Sequence, residues 1–187
     1  MNNTAIVDFY PEINYEKSIK RHRLIYKITF WRVVKVIIDS FLFLVLIGLL
    51  SIPIFRIVKG LPTPIGIVGC SALLICWMIS NALLNNTFIK IEGKKLDDNK
   101  KDILSTLNEF FSNYDFKVNN EKMMRSFTPQ GNPIWGRIIT ILFNENDMYL
   151  NITSLGKTNS PTIVHGLINY IKAKRIAGYY KKHYFSN

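Results

Sequence analysis

Two long stretches without a charged residue constrain the fold of this chain most. Residues 40–55 and residues 61–89 contain no Asp, Glu, Lys or Arg. A bilayer core of about 30 Å is crossed by about 20 apolar residues in a helix. The second stretch is long enough by itself, and the first is long enough when it extends over residues 33–58. Neither stretch carries the polar stripe of a helix in a soluble domain. The sequence therefore predicts two membrane spans, at residues 33–58 and 61–84.

The distribution of positive charge predicts the orientation of these spans. Seven Lys or Arg residues precede residue 36, two (Arg56 and Lys59) lie at the end of the first span and in the connecting loop, and fifteen follow residue 89. Because basic flanks stay on the cytoplasmic side, we expect a hairpin in a bacterial inner membrane, with both termini in the cytoplasm. Topology and contact with anionic membrane lipid account for most of the net charge of +11. A nucleic acid or an acidic protein partner is the alternative explanation.

The chain divides by composition into three parts. Residues 1–32 form a basic amphipathic segment, residues 33–86 form the transmembrane hairpin, and residues 87–187 form a cytosolic domain. Aromatic and aliphatic residues of the first part recur at helical spacing between Tyr15 and Phe30. This segment could lie along the membrane surface or pack against the C-terminal domain, and the sequence leaves both placements open.

The cytosolic part alternates between strand and helix patterns. A short strand near Ile89 precedes a helix that Asp97 or Asp98 would cap. Residues 116–127 are predicted as extended, either as one strand or broken by a turn at Asn119-Asn120. A hairpin follows, with strands at residues 137–143 and 148–153. A last helix would begin at Pro161, with Ser160 as its cap. The prediction is an α+β membrane protein with a β-α-β-β-β-α domain, in which two helices cover one side of an antiparallel sheet.

The residues that support catalysis or metal binding are not clustered in this sequence. His22, His165 and His183 are scattered, and both cysteines, Cys70 and Cys76, fall inside the second predicted span. No nucleophile motif and no glycine-rich phosphate loop is present. We therefore expect a protein that is not an enzyme, with no catalytic residue, no metal and no cofactor.

Polar and small residues inside the spans are the first set of candidate functional residues. Small residues allow helices to approach closely, and polar side chains in a membrane prefer a protein or water neighbour to lipid. Lys35 precedes Asp39 by one helical turn, so the two can pair. A homo-oligomer would supply partners for the remaining groups. The candidates for pore lining or helix packing are Asp39, Gly66, Gly69, Ser71, Ser80 and Asn81.

Basic residues of the cytosolic domain are the second set. Arg125, Trp135 and Arg137 flank the loop at residues 129–133 and could form an anion-binding patch, or the arginines could simply be solvated beside an aromatic plug. The C-terminal tail mixes cations with aromatics, including Lys172, Lys174 and Arg175. Such a mixture suits a membrane interface or a partner subunit, with RNA as the alternative.

The layout of two spans near residues 33–58 and 61–84, followed by a small basic domain, resembles the pore-like accessory membrane protein of type VI-B CRISPR antiviral systems. That family carries Arg and His separated by four to six residues, whereas Arg175 and His183 are separated by seven, so no catalytic residue is carried over. The resemblance implies an oligomeric pore that depolarises the membrane after infection. The alternative is a membrane-tethered module that recruits a protein or a nucleic acid.

Overall fold

The computed structural model describes residues 12–28, 30–112, 114–128, 136–156, 162 and 164–185. This part of the chain forms five helices and one five-stranded antiparallel sheet. It divides into two compact units: residues 27–80 form one, and residues up to 26 join residues from 81 onward in the other. The α+β class is therefore confirmed.

The unit of residues 27–80 consists of two apolar helices. Helix α2 covers Phe30–Val58, and helix α3 covers Ile65–Leu84, whose last turn belongs to the other unit. Gly60 closes the connecting turn with a φ of 71°, a conformation that glycine adopts without strain. By length and composition, the segments Ile37–Val58 and Ile65–Leu84 could cross a membrane. The second begins at Ile65 rather than at Leu61, because the residues between Gly60 and Ile65 are not helical.

The other unit is built on the sheet, whose strand order is β1-β5-β4-β3-β2. The strands are β1 Ile89–Glu92, β2 Phe116–Asn119, β3 Met123–Thr128, β4 Gly136–Asn144 and β5 Asp147–Leu155. Residues 116–127 form two strands, so the alternative with a turn near Asn119-Asn120 is confirmed and the count of one strand in the β-α-β-β-β-α order is wrong. Asn120 makes this separation, because its side chain accepts hydrogen bonds from the backbone N–H groups of Lys122 and Met123 and so closes a turn. The predicted hairpin of β4 and β5 is confirmed.

Helices α4, Leu96–Phe110, and α5, Gly166–Tyr184, cover one face of the sheet. The cap predicted at Asp97 or Asp98 is wrong, because the helix already begins at Leu96 and both carboxylates lie in its first turn. There the positive end of the helix dipole stabilises their negative charges. The start predicted for the last helix is also too early: Val164 and His165 form a turn, and α5 begins at Gly166. Ser160 and Pro161 lie outside the described residues.

The N-terminal segment covers the opposite face of the sheet. Helix α1, Tyr15–Arg21, is capped by Asn14, and the Tyr15 hydroxyl donates a hydrogen bond to the carbonyl of Phe143 in β4. Leu24 is buried against Leu142 and Tyr149, and its N–H donates to the Asn86 carbonyl at 2.7 Å. Of the two placements that the sequence left open, residues 13–26 take the one against the domain.

Candidate anion site

The candidate site lies where β4 begins. Arg137 pairs with Thr128 of β3 and Ser154 of β5 in the sheet register. Side chains alternate along a strand, so Arg137 shares its face with Ile139 and Ile141, which are buried under the two helices. The register therefore places a guanidinium at the end of an apolar row, on the helix-covered face of the sheet.

One aromatic ring receives this guanidinium and a second cation. Phe111 follows the last residue of α4 and is buried. The guanidinium carbon of Arg137 lies 4.0 Å from the centroid of this ring, and Nζ of Lys172, on α5, lies 4.1 Å from it. Both distances fall within the range of cation–π attraction, which contributes about 0.5–2 kcal/mol depending on solvent exposure. Phe111 thus contacts two like charges.

The two cations are not neutralised by an acid among the described residues. Ion pairs between described residues include those of Lys90 with Asp147, Lys94 with Asp102, and Lys117 with Asp115, and no described pair includes Arg137 or Lys172. Within the described ranges, Nε of Arg137 is buried and has no hydrogen-bond partner. A partly buried, unpaired charge destabilises a fold, so an anion that binds here would be favoured.

The pKa of each cation at the site is lowered. Burial lowers the pKa of the Arg137 guanidinium below its ordinary value. Burial also lowers the pKa of the Lys172 ammonium, and the positive charge of Arg137 lowers it further. Both shifts have the sign expected for cations that lack an anionic neighbour.

Neutral polar groups line the same end of the sheet. The amide of Asn169, in the first turn of α5, donates to Oγ of Ser154 at 3.1 Å. Ser154 is the β5 residue that pairs with Arg137. Two cations with adjacent hydroxyl and amide groups can bind a phosphate or a carboxylate, for which the forked donors of arginine are well suited.

The structure separates several of the basic residues that the sequence grouped together. Arg125 pairs with Thr140, so it lies on the face opposite Arg137, where it is buried near the ring of Tyr26. Trp135 lies outside the described residues. Lys174 and Arg175 are exposed on α5 and have no described contact with Phe111.

The candidate residues of the spans have different surroundings. Asp39 is exposed, and the side chain of Lys35 lies outside the described part, so their pairing stays a prediction. Ser71 is buried and Ser80 is partly buried. An added Cβ at Gly66 or Gly69 would meet no described atom within 4 Å.

Asn81 belongs to a polar junction at the end of α3. It is only 2% exposed, and its Oδ1 accepts a hydrogen bond from the N–H of Leu167 at 3.0 Å. The amide of Asn151 in β5 donates to the carbonyls of Asn85 and Thr87. The last turn of α3 and the chain that leaves it are therefore joined to β5 and to the first turn of α5.

One groove on the opposite side of the domain carries charges of both signs. An open groove of about 590 Å³ is lined by residues including Tyr15, Glu121 and Lys122, whose charges are of opposite sign. Across the residues for which the structure gives a placement, no group of three or more His, Cys, Asp or Glu could hold a metal ion.

No protein-family model matches the chain, and no curated protein and no solved structure matches it. The sequence indicated Arg137 and Lys172 separately and gave no role to Phe111. Only the sheet register and the packing of α4 against α5 bring these three residues together.

Proposed function

We propose that this chain is a membrane-anchored binding module, in which the two apolar helices anchor the protein and the α+β domain binds an anionic group. The observation that carries the proposal is the pair of cations, Arg137 and Lys172, on the ring of Phe111 without a described acidic partner. The basic flanks of the two helices support a bacterial inner-membrane location with both termini in the cytoplasm.

The two positive charges of Arg137 and Lys172 repel each other in a partly dehydrated part of the domain. Water and the Phe111 ring compensate them incompletely, as the lowered pKa of each shows. A phosphate or carboxylate would relieve the repulsion and supply charge-assisted hydrogen bonds, which are stronger than neutral ones. Binding, rather than catalysis, is the role that this arrangement supports best.

The test is a thermal shift of the full-length protein in neutral detergent, with pyrophosphate as the probe. A ligand that binds only the folded state stabilises it by about 2.7 kcal/mol at 100 times its Kd. We expect pyrophosphate to raise the Tm of the wild type and of Lys101→Gln, an exposed control on α4. The double variant Arg137→Gln/Lys172→Gln should lose this response. An equal response in all three proteins would refute the site.

A second candidate function is an oligomeric assembly through the apolar helices, as the antiviral resemblance implies. It is favoured by Gly48, Gly66 and Gly69, around whose added Cβ no described atom lies within 4 Å, so another helix could approach there. Detergent-corrected light scattering of the wild type and of Gly66→Leu/Gly69→Leu tests it. Many chains per particle in the wild type and fewer in the variant would support a pore, whereas a monomeric wild type would exclude one.

A further inference from the structure

The outer face of α5 carries an apolar stripe. Val164, Ile168 and Ile171 are 46%, 60% and 44% exposed. They are four and three residues apart, so they lie along one side of the helix and the turn that precedes it. The opposite side of α5 packs on the sheet through residues such as Asn169 and Ile176. Three aliphatic side chains in a row are therefore left uncovered by the described part of the domain.

Cations border this stripe. Each residue of an α-helix turns about 100° from the one before it. Lys172 therefore lies about 40° from Ile168 around the helix axis, and Arg175 lies a similar angle from Ile171. Lys172 also contacts the ring of Phe111, which Arg137 contacts as well. The apolar stripe and the anion site consequently form one continuous surface.

This surface lies at the end of the sheet where α3 finishes. The hydrogen bond from Leu167 to Asn81 joins the first turn of α5 to the last turn of α3. Asn151, which binds the chain just after α3, lies three residues from Ser154, the partner of Arg137. Strand β1 runs from this place in the other direction, toward Asp147. The anion site therefore lies at the end of the sheet where residues 81–87 enter the domain.

We propose that this surface binds anionic phospholipid, with Arg137 and Lys172 on the headgroup phosphate and Val164, Ile168 and Ile171 in the boundary between headgroups and acyl chains. This inference rests on the proposed function and names its ligand. A phospholipid presents a phosphate beside hydrocarbon, which matches cations beside aliphatic side chains. A single-stranded nucleic acid would instead call for exposed aromatic rings for base stacking, and the stripe is aliphatic.

The test measures the depth of a spin label in the full-length protein, reconstituted in nanodiscs with or without phosphatidylglycerol. The label is placed at Ile168→Cys in a Cys70→Ala/Cys76→Ala background. A second position, Ile171→Cys, guards against local damage at the first. The matched control is Glu145→Cys, in the exposed turn between β4 and β5. That turn is about 25 Å along the strands from Ser154.

In phosphatidylglycerol nanodiscs, we expect the labels at residues 168 and 171 to collide mainly with dissolved oxygen, and the label at residue 145 to collide mainly with a water-soluble nickel chelate. In the double variant Arg137→Gln/Lys172→Gln, the docked fraction should fall. The expected loss is about fivefold in the docking equilibrium for each cation removed, from the attraction of one basic residue to an anionic surface.

The outcomes separate this inference from the proposed function. If pyrophosphate stabilises the wild type but the labels at residues 168 and 171 are as water-accessible as the label at 145, the site binds an anion and the lipid inference is overturned. If an oligonucleotide binds through Arg137 and Lys172 while both labels stay in water, the ligand is a nucleic acid and the inference again fails. If no anion depends on the two cations, the proposed function fails as well.

Discussion

Gly166 is the position where one added methyl group tests the junction between α3 and α5. A Cβ at this residue would lie 2.2 Å from the backbone oxygen of Asn81 and 3.0 Å from the backbone nitrogen of Asn85. Ordinary van der Waals contact begins near 3.5 Å, so α3 and α5 would have to separate by roughly 1 Å. Backbone atoms cannot rotate away as a flexible side chain would. Gly166→Ala should therefore push the first turn of α5 away from the last turn of α3, to which it is hydrogen-bonded.

The expected loss of stability has two contributions. Overpacking in a tight contact destabilises a fold by about 1–3 kcal/mol, and the separation would also break the hydrogen bond from Leu167 to Asn81, worth about 1 kcal/mol. We expect a total of about 2–4 kcal/mol, which lowers the Tm of a domain of this size by about 8–16 °C. The control is Gly178→Ala in the same helix, where no described atom lies within 4 Å. It should stabilise the domain by about 0.5–1 kcal/mol.

The assay is thermal unfolding of the full-length protein in detergent, followed by circular dichroism, together with hydrogen exchange at the Leu167 amide. Gly166→Ala should melt at a lower temperature than the wild type and should exchange the Leu167 amide faster. If Gly166→Ala melted at the same temperature as the wild type and kept this amide protected, the helices would not be in the tight contact described. A lower melting temperature with an unchanged Leu167 amide would also contradict it, since the damage would then lie elsewhere.

Three further predictions follow from other contacts. Asn99 is buried and forms hydrogen bonds with Lys94, Asn146 and Tyr180. Asn99→Ala should therefore lower the free energy of unfolding by about 3–5 kcal/mol, whereas Ser105→Ala, at an exposed position of the same helix, should stay within about 0.5 kcal/mol of the wild type. Equal losses would contradict the role of Asn99. In the folded state the pKa of Lys172 is lowered from its ordinary value of 10.5, so the charged form destabilises the fold below the lowered pKa, and this destabilisation disappears as the pH rises toward 10.5. The Tm of the wild type should therefore rise relative to the Tm of Lys172→Met as the pH is raised above neutrality. A Tm difference that stays constant with pH would refute the shift. Tyr15→Phe removes the hydrogen bond to the Phe143 carbonyl and should lower the free energy of local opening of α1 by about 1 kcal/mol, so trypsin should cleave within α1 faster. An unchanged cleavage rate would show that this hydrogen bond does not keep the segment on the sheet.

The elements that the sequence predicted well are those with strong local patterns. Uncharged runs produced the two apolar helices, and alternation on both sides of a turn produced the hairpin of β4 and β5. Boundaries were less predictable, because they depend on tertiary contacts. Gly166 begins α5 where the helix meets Asn81, whereas Pro161 appeared locally to be the better start.

The placement of the N-terminal segment could not be read from the sequence. Its amphipathic pattern suits a membrane surface and a protein surface equally, and the choice depends on the apolar face of the sheet that Leu142 and Tyr149 present. This face exists only after β4 and β5 have paired.

The anion site has the same kind of origin. Arg137 and Lys172 are far apart in sequence, and the sequence grouped Arg137 with Arg125 instead. The two arginines are separated by an even number of residues, but they lie on different strands, so only the pairing of β3 with β4 decides that they face opposite sides. Phe111 carried no signal of its own, because a ring that receives cations looks like any core aromatic in the sequence.

The most direct test of the central claim, that this is a membrane-anchored module with an anion site, is calorimetric titration of the full-length protein with pyrophosphate in nanodiscs of zwitterionic lipid. The wild type and Lys101→Gln should give a binding isotherm that weakens with added salt, and Arg137→Gln/Lys172→Gln should show no measurable binding. An isotherm in the double variant equal to that of the wild type, or no binding in any of the three proteins, would contradict it.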